Sequence, residues 1–333
     1  MDTPEALTML DTLDALDARL IDRLQGGFPL VSRPYAATGR SLGLGEDGLI
    51  RRLRALLHAG VLSRFGPMYQ IERLGGCFVL AALAAPEARF DEVAAAVNAL
   101  PAVAHNYRRE HRLNMWFVLA ADSAAAIDAA RRGIELVTGL EVNLFPKERE
   151  YFVGMRFQVG GAAPVGAAAG ARRAGEPAVL SEDDRRLIRA TQAGLPLCRY
   201  PYRDIARQLG WAEAEVTARL ARWLEQGVVR RIGAVPNHYA IGYRANGMAV
   251  FDVADEQVDA LGAQLGGLDA VSHCYRRPRR PGWPYNLFAM LHGSERPAVL
   301  AAVDDARALL GEACRGHEVL FSSRILKKTG LRL

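Results

Sequence analysis

The text "RRLRALLHAGVLSRFGPM" (51–68) returns 167 residues later as "ARLARWLEQGVVRRIGAV" (218–235). "GGFPL" (26–30) returns as "AGLPL" (193–197) at the same offset, and "VAHNYRRE" (103–110) as "VSHCYRRP" (271–278) at 168. "LFPKEREYFVGMRF" (144–157) returns as "LFSSRILKKTGLRL" (320–333) at 176, most of the drift being a four-residue insertion within "PRRPGWP" (278–284). Collinear matches over four segments mean that the chain is a duplication, so any fold proposed for one half must serve the other. A length of 333 residues already requires two or more units. Between the copies, residues 158–179 are so rich in Gly, Ala and Pro that they cannot bury a core, and read as a linker.

Each copy has a helical part and an alternating part. In "LDALDARLIDRLQ" the residues Leu13, Leu16, Leu20, Ile21 and Leu24 share one helical face. Two further helices follow, "YAATGRSLGL" and "EDGLIRRLRALLHAG", the latter ended by Gly60, and then a short basic β wing. The second copy repeats the pattern from a Ser181–Asp184 capping arrangement onward. Three helices and a wing predict a winged helix-turn-helix over 1–74 and again over 180–243. The alternating part, from "CFVLAALA" to "EVNLFPKEREYFVG", reads β-α-β-β-α-β, the ferredoxin-like split unit, over 75–157 and 244–333. The fold class is therefore α+β in tandem, with the copies pairing through their sheets as an internal pseudo-dimer that leaves room for a further homo-oligomer.

Composition excludes several classes. No apolar run approaches the ~20 residues of a membrane span, and the acidic start "MDTPEALTMLDTLDALDARL" lacks the features of a secretory signal, so a cytoplasmic location is expected. Cys77, Cys198, Cys274 and Cys314 are scattered, with no Cys-x-x-Cys pair for a zinc ribbon, an iron–sulfur cluster or a disulfide framework. A net charge of +5 and a pI near 9.2 allow nucleic acid or an acidic small molecule and select neither.

The duplicated hairpin carries the chemistry. Strand alternation places His105, Tyr107 and Arg109 on one face, as it does His273, Tyr275 and Arg277, and sends Arg108 and Arg276 to the other. An imidazole can ligate iron or give a proton near neutral pH. A guanidinium fork binds carboxylates in bidentate fashion. Arg112, Arg279 and Arg280 extend the basic run, and His111 has no counterpart in the second copy.

A winged helix followed by a ferredoxin-like unit resembles the Lrp/AsnC-like regulators, over nearly the whole chain and twice. "RFGPMYQIERLGG", "VAHNYRREHRLNMWFVLA" and "FPKEREYFVGMRF" resemble one subunit type of the sirohaem decarboxylases. "RRIGAVPNHYAIGYRANGMAVFDV" and "VSHCYRRPRRPGWPYNLFAMLHG" resemble the other. The resemblance implies an enzyme that removes carbon dioxide from the two acetate side chains of sirohaem, at C12 and C18, on the way to haem d1 or haem b. It implies sirohaem as the small-molecule partner, no cofactor beyond this iron tetrapyrrole, and no intrinsic metal. In that setting His105 and His273 are the catalytic candidates, one delivering a proton and the other holding the macrocycle as a possible axial ligand of its iron. Tyr107, Arg108, Arg109, Tyr275, Arg276 and Arg277 are candidates for substrate binding. Asn114, Tyr285 and Asn286 either bond substrate or cap the second strand. Arg64 and Arg231 in the wings reach a propionate or stay solvated, His238 is a further candidate, and Trp116 and Phe288 read as core.

The competing class is a DNA-binding regulator or a haem-responsive sensor. A recognition helix should offer donors to base edges. Here its first turn carries Glu46 and Asp47 in one copy and Glu213 and Glu215 in the other, which a phosphate backbone repels. DNA binding is therefore not expected.

Overall fold

The computed structural model describes residues 13–154, 157, 159 and 178–328. The expected linker, 158–179, lies outside the described residues apart from 159, 178 and 179.

The helical part of the first half consists of α1 (Ala15–Gln25), α2 (Pro34–Ser41) and α3 (Glu46–His58), followed by the wing strand β1 (Leu62–Tyr69). Asp14 caps α1 by accepting from the amide of Asp17, and Leu20, Ile21 and Leu24 form its buried stripe. The second half repeats this as α6 (Glu182–Thr191), α7 (Pro201–Leu209), α8 (Glu213–Gln226) and β7 (Val229–Pro236). Ser181 and Asp184 close the capping box that the sequence indicates. The two helical parts share one core, in which Leu20, Ile21 and Leu24 belong to the same cluster as Leu187, Ile188 and Trp223.

The wings do not project as separate arms. Strands β1 and β7 pair antiparallel across the halves, with Gly66 opposite Gly233. Both glycines stand where another backbone approaches: a Cβ on Gly233 would sit 2.1 Å from the carbonyl oxygen of Leu24, and one on Gly66 would sit 2.9 Å from Gly194 Cα. Gly233→Ala is therefore expected to destabilise the chain by about 1–3 kcal/mol through overpacking. The control Gly316→Ala, whose Cβ meets nothing within 4 Å, should stay within roughly 0.5 kcal/mol. Thermal denaturation of the two variants beside wild type checks this.

The alternating part of the first half runs β2 (Cys77–Leu83), α4 (Phe90–Ala99), β3 (Val103–Arg109), β4 (Met115–Ala121), α5 (Ala124–Thr138), β5 (Asn143–Pro146) and β6 (Arg149–Val153). The second runs β8 (Ala245–Val253), α9 (Val258–Leu265), β9 (Val271–Arg276), β10 (Leu287–Gly293), α10 (Arg296–Leu310) and β11 (Cys314–Lys328). Together they make one nine-stranded sheet in the order β5-β2-β4-β3-β11-β8-β10-β9-β6.

The segment "EVNLFPKEREYFVG", which reads as one strand, is in fact two. Strand β5 pairs with β2 in its own half, and β6 pairs with β9 in the other. The second half returns the exchange: β11 pairs first with β8 and then, from Ser322 onward, with β3. Strands β5 and β6 lie at opposite ends of the sheet order but are separated only by Lys147 and Glu148. The sheet has therefore curled until its ends come together. Helices α4 and α5 cover one half from outside and α9 and α10 the other. Inside, Ala82, Trp116 and Phe145 pack against Met248, Val250 and Phe288.

Candidate active site

The curl encloses a cavity of about 430 Å³, within the usual range for small-molecule sites. Both hairpins supply its walls. His105, Tyr107 and Arg109 enter from β3, and His273 and Tyr275 enter from β9 with Arg277 just after it. The alternation seen in the sequence thus places both His-Tyr-Arg faces on one space. In each half the imidazole lies beside its tyrosine ring, with centroids 6.3 Å apart for His105–Tyr107 and 6.0 Å for His273–Tyr275. Phe78, Leu80, Trp116, Val118, Met248, Phe288 and Met290 provide apolar wall. Trp116 and Phe288 are therefore lining residues as well as core.

The two arginines are placed alike. Arg109 donates to the carbonyl of Leu320 in β11 at 2.7 Å and Arg277 to the carbonyl of Phe145 in β5, each reaching a strand of the opposite half. Arg277 stacks on Tyr275 with its guanidinium carbon 5.0 Å from the ring centroid, and Arg109 lies 5.8 Å from that of Tyr107. Burial pushes both guanidinium groups down to about 10, still cationic at neutral pH.

The surroundings of the two histidines differ. Near His273, Arg230 grips Glu150 in a bidentate pair at 2.8 and 3.1 Å. Lys147 bridges Glu150 at 2.8 Å and Glu72 at 2.5 Å. Burial opposes ionisation of Glu150, but Arg230 and Lys147 together hold its carboxyl below the ordinary range. On the other side, His238 and His292 meet edge to face with centroids 5.0 Å apart. His238 stacks on Phe157, which Gln25 fixes through paired bonds to its amide and carbonyl.

Burial, then Arg230, and more weakly Arg277 and Lys147 push the His273 imidazole down to about 4, with Glu150 acting the other way. An unfolded histidine titrates near 6.5. Below that pH the unfolded chain binds a proton that folded His273 does not, so this contribution to stability is complete above 6.5 and lost toward 4. Unliganded wild type should lose up to roughly 3 kcal/mol over that window on this account, and His273→Gln should lose correspondingly less. Urea denaturation at successive pH values checks the difference; identical profiles would contradict it.

Several sequence candidates lie off the cavity. Arg108 turns to the helix side of β3, ion-paired with Glu87 at 2.6 Å and stacked 4.4 Å from the ring centroid of Phe90. Arg276 turns toward Glu148 and Asp259. Pleating alone separates both from the cavity face. Asn114 bonds the amide and carbonyl of Ala85, both at 2.9 Å, and Asn286 bonds those of Val253 at 3.0 and 2.9 Å. Each is a staple between its hairpin and the end of a neighbouring strand. Tyr285 packs edge-on against Trp283.

Arg64 donates to the carbonyl of Gln192 and Arg231 to that of Gln25, at 2.9 Å for the latter. The wing arginines thus cap the C-termini of the opposite half's first helix, where cations are favoured. His111 pairs with Glu318 outside the cavity. His238 does line it, joined by Glu72, Lys147, Glu150, Arg230, Asn246 and His292, which sequence reading did not single out. For His292 a signal was present, since it shares a strand face with Phe288 and Met290.

Two winged-helix and ferredoxin-like units folded around one basic, imidazole-lined cavity define a class of tandem AsnC-like ligand-binding proteins. The family model described as "AsnC-like ligand binding domain" matches residues 74–151 and 240–327. The one described as "Siroheme decarboxylase NirDL-like HTH domain" matches 17–62 and 184–230. The "Siroheme decarboxylase NirDL subunit" of Paracoccus denitrificans (strain Pd 1222) is 37% identical over 96% of this chain and 97% of its own. The "Siroheme decarboxylase NirH subunit" of Paracoccus pantotrophus is 59% identical over 46% of this chain and 95% of its own. The crystal structure of "the siroheme decarboxylase NirDL in co-complex with iron-uroporphyrin III analogue" superposes with a TM-score of 0.70 at 27% identity, covering 96% of this chain and 94% of that one. The chain belongs to the sirohaem decarboxylase family.

Proposed function

We propose that this chain is a carboxy-lyase acting on sirohaem, removing carbon dioxide from the acetate arms at C12 and C18 to give 12,18-didecarboxysirohaem. The observation that carries the reading is the convergence of two His-Tyr-Arg faces on one cavity. Its lining holds Arg109, Arg277, Arg230 and Lys147 against only Glu72 and Glu150. An excess of cations beside an aromatic and aliphatic wall suits a flat macrocycle ringed by carboxylates.

The chemistry needs an acid. Each arm passes from CH2–CO2⁻ plus one proton to CH3 plus carbon dioxide, with no change of oxidation state. Protonating the macrocycle beside the arm provides a sink for the electron pair of the breaking C–C bond. One of His105 and His273 supplies that proton. The other orients the tetrapyrrole, where a neutral imidazole can meet the substrate's iron. Arg109 and Arg277 hold carboxylates that do not react. No cofactor is needed beyond the iron tetrapyrrole itself, and the reaction belongs in the cytoplasm. Among the described residues no helix is long and apolar enough to cross a membrane.

The regulator reading is less favoured. Glu46 is paired with Arg33, Asp47 with Arg199 and Glu213 with Arg203, so the arginines beside the first turns of α3 and α8 are engaged by carboxylates rather than offered to phosphates or base edges. The wings are joined to each other rather than extended. Anaerobic incubation of the purified chain with sirohaem tests the proposal by mass spectrometry. Loss of two carbon dioxides is expected; intact sirohaem together with salt-sensitive binding to a promoter fragment would reverse the assignment.

A further inference from the structure

Both hairpins contain a β-bulge beside the histidine, and the bulges differ in one side chain. In β9 the ladder pairs His273 with Met290 and then Val271 with Leu291, which leaves Ser272 as the extra residue. In β3 it pairs His105 with Val118 and then Val103 with Leu119, which leaves Ala104. A bulge re-aims the side chain of its extra residue. Ser272 Oγ lies 2.9 Å from His273 Nδ1, 2.9 Å from His292 Nε2 and 3.2 Å from the carbonyl oxygen of Met290. Ser272 is buried, at 6% exposure. The positions equivalent to Ser272 and His292 in the first half are Ala104 and Ala120, whose methyl groups neither donate nor accept.

A hydroxyl has one hydrogen and two lone pairs. The Met290 carbonyl can only accept, so it takes the hydroxyl hydrogen, and both imidazoles donate to the oxygen. This arrangement satisfies all three contacts at once. It puts the hydrogen of neutral His273 on Nδ1 and leaves Nε2 as the nitrogen that loads and unloads a proton. His292 occupies the second lone pair and so fixes the hydroxyl rotor.

We infer that Ser272 and His292 are positioning residues that hold His273 in its Nδ1–H tautomer, making the second half the one that delivers protons. The inference rests on the decarboxylase reading. In the step it supports, doubly protonated His273 gives its Nε2 proton to the substrate. The C–CO2 bond breaks, carbon dioxide leaves, and the electron pair of that bond ends in the new C–H bond of the methyl. His273 returns to neutral Nδ1–H imidazole and regains its Nε2 proton from water. The groups facing His273 throughout are Arg230, Glu150, Arg277 and Lys147, with Ser272 and His292 behind it. The first half, with Ala104 and Ala120, lacks these two side chains and keeps His105 for orienting the macrocycle.

Two measurements decide this. Nitrogen-15 spectra of histidine-labelled full-length chain, with His273 assigned by its loss in His273→Gln, should show the Nδ1–H tautomer in wild type. Ser272→Ala should shift that resonance and Ser272→Thr should restore it. Alanine is compatible with the bulge, because Ala104 fills the equivalent slot. In anaerobic turnover of sirohaem, Ser272→Ala should lose about 10- to 100-fold in kcat with KM within about threefold, and Ser272→Thr should recover most of it. A hydrogen on Nε2 in wild type, a resonance unmoved by Ser272→Ala, or wild-type kcat in that variant would each overturn the inference. If wild type leaves sirohaem intact, the decarboxylase reading falls and the role in proton delivery falls with it. The tautomer spectra still decide whether Ser272 holds the ring.

Discussion

His273→Ala is expected to reduce decarboxylation of sirohaem by about 10²- to 10⁴-fold in kcat, the range a positioned general acid supplies, with little change in KM. His105→Ala should act differently, weakening binding and altering the Soret band of bound sirohaem more than it slows the chemical step. The contrast follows from their surroundings. His273 has Ser272 and His292 behind it, and burial together with the field of Arg230, Arg277 and Lys147 keeps it neutral in the free protein. A substrate rich in carboxylates would counter that field and favour the imidazolium, so on the proposed reading its arrival would arm the acid. Single-turnover kinetics and spectral titration of both variants separate the two roles. Full activity in both would remove the histidines from the mechanism.

The arginines give the second large effect. Arg109→Met and Arg277→Met keep the aliphatic stem and remove the charge. Each should weaken sirohaem binding by about 10- to 100-fold, the loss of a charge-assisted hydrogen bond of roughly 1.5–3 kcal/mol. Each should also cost about 1–3 kcal/mol of stability, because the carbonyl of Leu320 or Phe145 loses its buried donor. Arg108→Met is the comparison. Its guanidinium faces Glu87 and Phe90 on the helix side, so affinity should stay within about twofold of wild type. Equal losses at Arg108 and Arg109 would contradict the strand-face assignment.

Much of this site could be read from the chain because it was written twice. Alternation within "HNYRRE" and "HCYRRP" is enough to separate Arg109 and Arg277 from Arg108 and Arg276. Repetition alone, however, does not distinguish binding from building. Asn114 and Asn286 occupy equivalent positions because both halves need the same strand staple. Arg64 and Arg231 do so because each wing caps the opposite helix. A duplicated fold keeps its structural contacts as faithfully as its chemical ones.

The residues that sequence reading missed lie where the halves differ. Opposite Glu72, Lys147, Glu150 and Arg230 stand Tyr239, Ser323, Leu326 and Ser63. Opposite Ser272 and His292 stand Ala104 and Ala120. A search for what the copies share passes over all six. Nor did period-2 patterning reveal that "LFPKEREYFV" passes at Lys147–Glu148 from pairing with its own half to pairing with the other. That break is set by pairing with a distant strand, which carries no local signal. It is also what brings Lys147 and Glu150 to His273.

On the proposed function, one cavity shared by the two halves delivers a proton to each acetate arm as its carboxylate leaves. Anaerobic turnover of sirohaem in heavy water, followed by mass spectrometry of the tetrapyrrole, tests it most directly. The product should have lost two carbon dioxides and carry one carbon-bound deuteron in each new methyl group, and the His273→Ala, His105→Ala double variant should yield none of it. Sirohaem recovered with all its carboxylates after incubation with folded wild-type chain would contradict it.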